Sequence, residues 1–289
     1  MSGDGMRPGH PGAEWAEHGA QMARIIAIAN QKGGVGKTTT AVNLAAALSE
    51  ARKRVLLVDM DPQGNATMAC GVDKREVEYS GCEVLLEEVP LEKAIVGCKG
   101  GFDVLPGNAD LTAAEVKLMD ALAREQRLKE CLATVADRYH FVLIDCPPSL
   151  NLLTLNALTA AHGVLVPMQC EYFALEGLSA LMDTIRAVKA RLNPQLEVEG
   201  ILRTMYDVRN NLANDVSAQL MQHFGDKVFR TMIPRNVRVA EAPSHGQSII
   251  EYDRTSRGSI AYLGLAGEMI RRDKHAAMPP EPSSIEPNP

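Results

Sequence analysis

Residues 25–44 read IIAIANQKGGVGKTTTAVNL. An apolar run, IIAIA, leads into seven residues that hold three glycines, and a stretch of helical composition follows. A run that is apolar on both faces suits a central parallel strand. Glycines at 33, 34 and 36 allow backbone N–H groups to turn inward without Cβ obstruction. Those donors, with the positive end of the next helix, form a cradle for phosphate oxygens. Gly36, Lys37 and Thr38 satisfy the end of the pattern G-x-x-x-x-G-K-[ST], in which the lysine reaches the β/γ-phosphates and the hydroxyl ligates Mg²⁺. Two features depart from that pattern. Gln31 stands at its first position, and a second lysine, Lys32, precedes Lys37 by five residues. From spacing alone Lys32 reads equally well as a solvated loop charge.

Working outward, short aliphatic runs alternate with helical stretches. Strands are predicted over 24–29, 54–59, 102–105, 141–145, 163–167, 197–204 and 227–232. Helices are predicted over 37–50, 125–137, 150–161, 174–190, 211–223 and 259–272. Runs such as VLLVD and FVLID are apolar on both faces, and the β–α alternation gives an α/β fold: a doubly wound, mostly parallel β-sheet with helices on both faces. No linker divides residues 22–274, so one nucleotide-binding domain is expected there. Residues 1–21 and the Pro-rich 275–289 read as disordered extensions.

Ligands of such sheets bind at the carboxyl ends of strands, and the acids fall there. VLLVDMDPQGN puts Asp59 at one strand end and Asp61 two residues beyond; FVLIDCPPSL puts Asp145 at another. Asp145 follows four apolar residues, as the acid of the magnesium shell does in nucleoside triphosphatases of this loop type. Asp61, in the loop, is the candidate for orienting or deprotonating an attacking water, and Asp59 for supporting the magnesium water shell. The residues leave the division of roles between these two open.

Composition narrows the classes further. The 289 residues are 46% hydrophobic but only 4% aromatic, enough aliphatic material for a sizeable core. No apolar run reaches the ~18 residues of a membrane span, and the first residues lack the apolar centre of a signal peptide, so a cytoplasmic protein is expected. Six scattered cysteines without a C-x-x-C pair argue against a metal or iron–sulfur site. The net charge of -6 argues against bulk affinity for nucleic acid. Yet residues 203–274 hold 11 Lys/Arg against 8 Asp/Glu, a locally basic region on an acidic body.

The strings KGGVGKTT, DMDPQGNAT, DCPPSL, QCEYFALEGL, IPRNVRVAEAPSHG and YDRTSRGSIAYLGLA, in this order, resemble those of the ParA (Soj) chromosome-partitioning ATPases. These belong to the deviant Walker A group with MinD and the nitrogenase iron protein. The resemblance covers about residues 22–273. It implies a slow, partner-stimulated ATPase that uses ATP and Mg²⁺ and forms a nucleotide-sandwich homodimer. Residues Gly33, Gly34, Val35, Gly36, Lys37, Thr38 and Thr39 would line the phosphates, and Lys32 would reach across to the partner's nucleotide. Lys32, Lys37 and Asp61 become the catalytic candidates, with Thr38, Asp59 and Asp145 at the metal. Gln63 and Gly64 would belong to one switch loop, and Pro147 and Pro148 to another; Pro234 and Asn236 of IPRN would pack the adenine.

The resemblance further implies non-specific binding of double-stranded DNA by the dimer, release by a ParB-like centromere-binding protein, and a nucleoid-associated location. Arg209 and Arg238 stand where the family's DNA-binding arginines lie; Arg203, Arg235, Arg257, Arg271 and Arg272 are further candidates. Phosphate contacts need cations and no base readers. The alternatives are a MinD-like membrane-associated positioning ATPase and a related ATPase that positions flagella or secretion machinery. Membrane association is not expected, because the last helical stretch ends in an acidic, Pro-rich tail.

Overall fold

Eight strands form one sheet in the order β3-β4-β2-β5-β1-β6-β7-β8. They are β1 (Arg24–Ile28), β2 (Val55–Asp59), β3 (Val96–Gly97), β4 (Asp103–Leu105), β5 (Phe141–Asp145), β6 (Gly163–Met168), β7 (Glu197–Tyr206) and β8 (Val228–Pro234). All pairs are parallel except β3 with β4. The computed structural model of the protein describes residues 22–277. Of the extensions expected at 1–21 and 275–289, residues 1–21 and 278–289 lie outside the described residues, and 275–277 belong to the last helix. The doubly wound sheet read from the sequence is the fold observed.

Both faces of the sheet are apolar, and each carries its own core. Ala27, Leu56, Val58, Val142, Ile144, Val164 and Val166 face one side, under helices that include Leu152–Ala160 and Ala174–Arg191. Ile26, Ile28, Leu57, Leu143, Leu165 and Leu202 face the other, under Lys37–Glu50 and Arg257–Ala277. Strands of period two that are apolar at every position can be buried only in such a three-layer arrangement. Tyr262, 1% exposed, sits between the two helices of the second layer with its hydroxyl 3.4 Å from that of Thr40.

Local chemistry sets the element boundaries. Asn151 accepts the N–H of Thr154 at 3.0 Å and starts its helix at Leu152, two residues after the predicted 150. Asn210 accepts the N–H of Ala213 and starts Asn211–Phe224 as predicted. The helix predicted over 125–137 is broken into Arg127–Ala133 and a 3₁₀ turn at Ala136–Arg138. The last helix runs from Arg257 to Ala277, three residues past the boundary expected at 274. Glu268 on that helix accepts the N–H groups of Arg230 and Thr231, both at 2.9 Å, and so ties it to edge strand β8. Strand β8 continues past the predicted 232 to Pro234, which an edge strand tolerates. The two-residue β3 and short helices such as Asn65–Ala69 and Val237–Glu241 have no full period to read and were not predicted.

Strand order fixes where a ligand can lie. The chain passes from β1 to β2 on one side, returns to β5 between them, and crosses to β6 on the other side of β1. Order therefore reverses at β1, and the crevice opens beyond its carboxyl end. In register, Asp145 pairs with Ile28 on one side and with Asp59 on the other. The glycine-rich loop and both strand-end aspartates thus share one edge of the sheet.

Candidate nucleotide site

The loop that follows β1 is held at both ends. The Asn30 side chain donates to the carbonyl of Pro167 at 2.8 Å and accepts the N–H of Lys32 at 3.0 Å. The Val35 carbonyl accepts from the Thr204 hydroxyl at 2.8 Å, and the Gly34 carbonyl from the Gln169 amide at 3.3 Å. Gly34 (φ 73°) and Gly36 (φ 87°) are left-handed, which glycine adopts without strain. Gly33 needs glycine for neither φ nor space, since an added Cβ would meet nothing within 4 Å. Gly36 is the N-cap of Lys37–Glu50, whose first N–H groups point into the crevice. Thr38 and Thr39 open that helix, half-buried, beside a cleft of about 400 Å³ that Asn65, Met68, Ser244 and Gln247 also line.

The two lysines differ in access. Lys37 is 7% exposed, and its Nζ donates to the carbonyl of Lys32 at 3.2 Å across the loop. Burial lowers its pKa, while Asp145, Cys146 and Asp61 pull the other way. Lys32 is exposed at the loop's mouth, where its Nζ pairs with Glu171 at 2.6 Å. Tyr172 and Phe173, next to Glu171, are 76% and 68% exposed, and their rings pack edge to face.

The three aspartates take three environments. Asp145 is fully buried, and neither carboxylate oxygen has a hydrogen-bond partner. Burial and the neighbouring Asp59 push its pKa well above the carboxylate range; Thr38 and Lys37 oppose that. Thr38 is close enough to act on the charge, though outside hydrogen-bond geometry. A buried, unpartnered carboxylate is costly unless a cation satisfies it. With the Thr38 hydroxyl beside it, the oxygen donors fit Mg²⁺, which keeps most of its ligands as water and phosphate. Among the described residues no three His, Cys, Asp or Glu side chains converge on one point to hold a metal ion.

Asp59 is hydrogen-bonded by protein donors. Its Oδ2 accepts the Thr67 N–H at 2.8 Å and the Thr67 hydroxyl at 2.7 Å, and its Oδ1 accepts the N–H of Asp61. Burial raises its pKa to about 6, against the effect of those bonds. Three protein donors thus tie its carboxylate to Thr67 and to the start of the Asp61 loop. Asp61 accepts the N–H of Gln63 at 2.9 Å with its side chain and that of Gly64 at 2.8 Å with its carbonyl. At Gly64 (φ 59°) an added Cβ would lie 2.4 Å from the carbonyl oxygen of Gly107, so this turn admits only glycine. Pro147 is buried, whereas Pro148 and the following Ser149 and Leu150 are exposed.

The segment expected at the adenine is partly committed elsewhere. Pro234 ends β8, and the Asn236 side chain caps Val237–Glu241 by accepting the Val239 N–H at 3.2 Å. A cavity of about 150 Å³ next to the loop is lined by Gln169, Glu171, Met205, Asp207 and Asn210, and from the IPRN segment only by Arg235.

The arginines also separate. Arg203 is 7% exposed and cannot serve as a surface cation. Its guanidinium donates to Ser217 at 2.8 Å and to the carbonyl of Phe229 at 2.7 Å. Arg272 lies 4.0 Å over the Phe229 ring and bonds Glu268. Arg209 is 86% exposed and makes a two-pronged contact with Asp207, which holds that carboxyl down at about 2. Arg235 is exposed, and its charge also acts on Asp207. Arg238 is exposed and pairs with Glu241 at 3.0 Å.

Asn30, Thr67, Gln169, Glu171 and Thr204 support the site without having been picked out from the sequence. Thr67, Gln169 and Glu171 lie within DMDPQGNAT and QCEYFALEGL, but their partners, up to 169 residues away for Thr204, are set by the fold.

Comparison with known proteins agrees with this geometry. The family model described as an AAA domain matches residues 23–198. The chain is 52% identical over 249 residues to the sporulation initiation inhibitor protein Soj of Bacillus subtilis, which covers 86% of this chain and 98% of that protein. It is 50% identical over 258 residues to the chromosome partitioning protein ParA of Caulobacter vibrioides, covering 88% and 97%. Among solved structures, cobyrinic acid a,c-diamide synthase from Mycobacterium smegmatis, crystallised with an ATP analog and magnesium, is similar with a TM-score of 0.78 at 41% identity. That match covers 88% of this chain and 97% of the other. The chain belongs to the ParA/Soj family of chromosome-partitioning ATPases.

Proposed function

We propose that this chain is an ATP-driven DNA-partitioning switch. ATP with Mg²⁺ assembles two copies, the pair binds double-stranded DNA without sequence preference, and a ParB-like partner releases it by stimulating hydrolysis. The observation that carries the reading is the pair of lysines on one loop, Lys37 buried toward Asp145 and Lys32 exposed beside Glu171. One cation serves the nucleotide of its own subunit. The other is free to leave an exposed ion pair, which holds it only weakly, for the phosphates of a second copy.

Bound ATP–Mg²⁺ supplies the phosphoryl group and the metal's Lewis acidity. The chain's residues do the rest. The N–H groups from Gly33 to Thr38 and the Lys37 ammonium take the phosphate charge. Thr38 and Asp145 offer oxygen ligands. Asp61, steadied by Asp59 and the Gly64 turn, is the group to orient water at the γ-phosphate. Exposed Tyr172 and Phe173 beside Glu171, and Leu150 (49%) near Asn30 and Gln31, give two copies an apolar face. Close cross-subunit charge pairs couple by ~1.5–7 kcal/mol, enough to make pairing depend on the triphosphate.

Arg209, Arg235 and Arg238 are exposed cations of the basic region, as are Lys227, Arg230, Arg254, Arg257 and Arg271, and a dimer doubles their number on one DNA. A membrane-positioning role finds less support. Tyr262, Leu265, Ala266 and Met269 of the last helix are all buried against the sheet. No helix among the described residues is long and apolar enough to cross a membrane.

The test is co-sedimentation with DNA in the presence of ATP, ADP or no nucleotide, with Lys32→Ala as the comparison. DNA should be retained only with ATP and lost in the variant. Equal retention in all three conditions, or a Lys32→Ala protein that binds as the wild type does, overturns the reading.

A further inference from the structure

The exposed cations of the basic region fall into two groups. Among the described residues, Lys227, Arg230, Arg235, Arg257 and Arg271 make no ion pair, whereas Arg209, Arg238 and Arg254 do. The Arg254 pair is structural: its guanidinium reaches Glu50 at 2.8 and 3.0 Å and joins segments 204 positions apart. The other two pairs are local. Arg209 and Asp207 lie two positions apart on one loop. Asp207 Oδ1 accepts the Arg209 backbone N–H at 3.0 Å and Nε at 2.9 Å, and Oδ2 accepts Nη2 at 2.8 Å, so both oxygens meet the guanidinium. Arg238 and Glu241 lie three positions apart on Val237–Glu241, with Nη1 to Oε2 at 3.0 Å. A second carboxylate, that of Asp253, stands 3.9 Å from Arg238 Nε. The Tyr252 hydroxyl steadies Glu241 by donating to Oε2 at 3.3 Å.

We propose that Asp207 and Glu241 are internal stand-ins for DNA phosphate, which hold Arg209 and Arg238 back and keep a single copy from binding DNA firmly. The role of the two acids rests on the DNA-binding reading above. A DNA phosphate offers an arginine two anionic oxygens on one centre, which is what each carboxylate already offers. Each arginine must therefore exchange its own carboxylate for a phosphate, and the freed carboxylate is left beside the polyanion. One copy makes two such exchanges for two contacts. Two copies share one DNA, so the contacts of the second form at high effective concentration and complete the exchange. Exposed ion pairs are weak enough to yield to a paired protein. Asp207 is held down at about 2 by its bonds to Arg209, so this stand-in stays charged at any pH near neutral. Lys32 on Glu171, at 2.6 Å, repeats the arrangement at the mouth of the phosphate loop.

Binding of the full-length protein to a labelled duplex of arbitrary sequence is measured by fluorescence anisotropy at fixed salt, with ATP, ADP or no nucleotide. The variants are Asp207→Asn and Glu241→Gln, each alone, together, and in the Arg209→Ala or Arg238→Ala background. Asn and Gln keep an oxygen to accept from the Arg209 N–H and the Tyr252 hydroxyl, so the local fold is preserved. The control is Asp215→Asn, which removes an exposed acid of Asn211–Phe224 that makes no ion pair among the described residues. An exposed pair is worth ~1.4- to 5-fold, and two copies carry each one twice, so either variant should bind about 2- to 30-fold tighter with ATP. The double variant should gain by a similar factor with ADP, and each gain should vanish once the paired arginine is alanine. A gain that persists without the arginine, or that Asp215→Asn matches, is general relief of charge and overturns the proposal. ATP-dependent binding by the wild type with no gain in the variants overturns the proposal alone. Absence of DNA binding by wild type and variants in every nucleotide state overturns the DNA-binding reading and the proposal with it.

Discussion

Replacing Thr67 by valine keeps the side chain's shape and deletes one hydroxyl. In the structure that hydroxyl donates to Asp59 at 2.7 Å and accepts the Gly107 N–H at 2.9 Å, and Thr67 and Asp59 are both fully buried. A hydrogen bond to a charged group contributes about 1.5–3 kcal/mol, and leaving a buried N–H without a partner costs about 1–3 kcal/mol. The variant should therefore be less stable by about 2.5–6 kcal/mol at pH 8, where Asp59, at about 6, is ionised. At pH 5 the carboxyl is protonated, the lost bond is a neutral one of about 0.5–1.5 kcal/mol, and the deficit should shrink by ~1 kcal/mol or more. The sign follows from linkage. The folded-state pKa of Asp59 lies above its unfolded value, so the folded state binds the extra proton and stability falls as pH rises from about 4 to about 6. The hydroxyl favours the ionised form, so removing it extends that fall to higher pH. Urea unfolding of both proteins at pH 5 and pH 8 measures the difference. A deficit below ~1 kcal/mol, or one equal at the two pH values, would refute the bonding scheme given for Asp59.

Four further outcomes are expected. Lys37→Ala should lose ATP binding, because a buried cation beside Asp145 is the charge the loop offers to phosphate; wild-type affinity by calorimetry contradicts the loop assignment. Asp61→Ala should bind ATP and remain paired while losing turnover, and normal phosphate release by that variant would remove Asp61 from the water-orienting role. Arg238→Ala should weaken DNA binding equally on unrelated sequences and make the log–log salt slope shallower by about one. By contrast, Arg203→Leu should act on stability, since its buried guanidinium ties Ser217 to the backbone of β8. A DNA-specific defect in a fully stable Arg203→Leu protein would restore it to the DNA-binding set.

Much of the molecule could be read without coordinates, and the rest could not, for reasons visible in particular residues. Strand runs such as VLLVD and FVLID are apolar at every position, and that pattern forces a sheet covered on both faces. The phosphate loop was equally legible, because a strand, left-handed glycines and a helix start within a dozen residues are local features. Helix starts were legible where a cap stood at the right place, as at Asn210, and slipped by two where Asn151 overrode the apolar pattern.

What a side chain touches across the fold was not legible. Asp59 and Asp145 look alike in sequence, each an acid closing an apolar strand. The fold gives Thr67 to one and no hydrogen-bond partner to the other. Arg203 and Arg209 look alike as basic residues near a strand end, yet one is buried against β8 and the other is exposed on a loop. Periodicity and loop chemistry depend on neighbours a few positions away, so the chain alone determined the sheet and the phosphate cradle. Desolvation and hydrogen bonding depend on neighbours tens to hundreds of positions away, so only the folded chain decided which aspartate is left without a hydrogen-bond partner and which arginine is exposed.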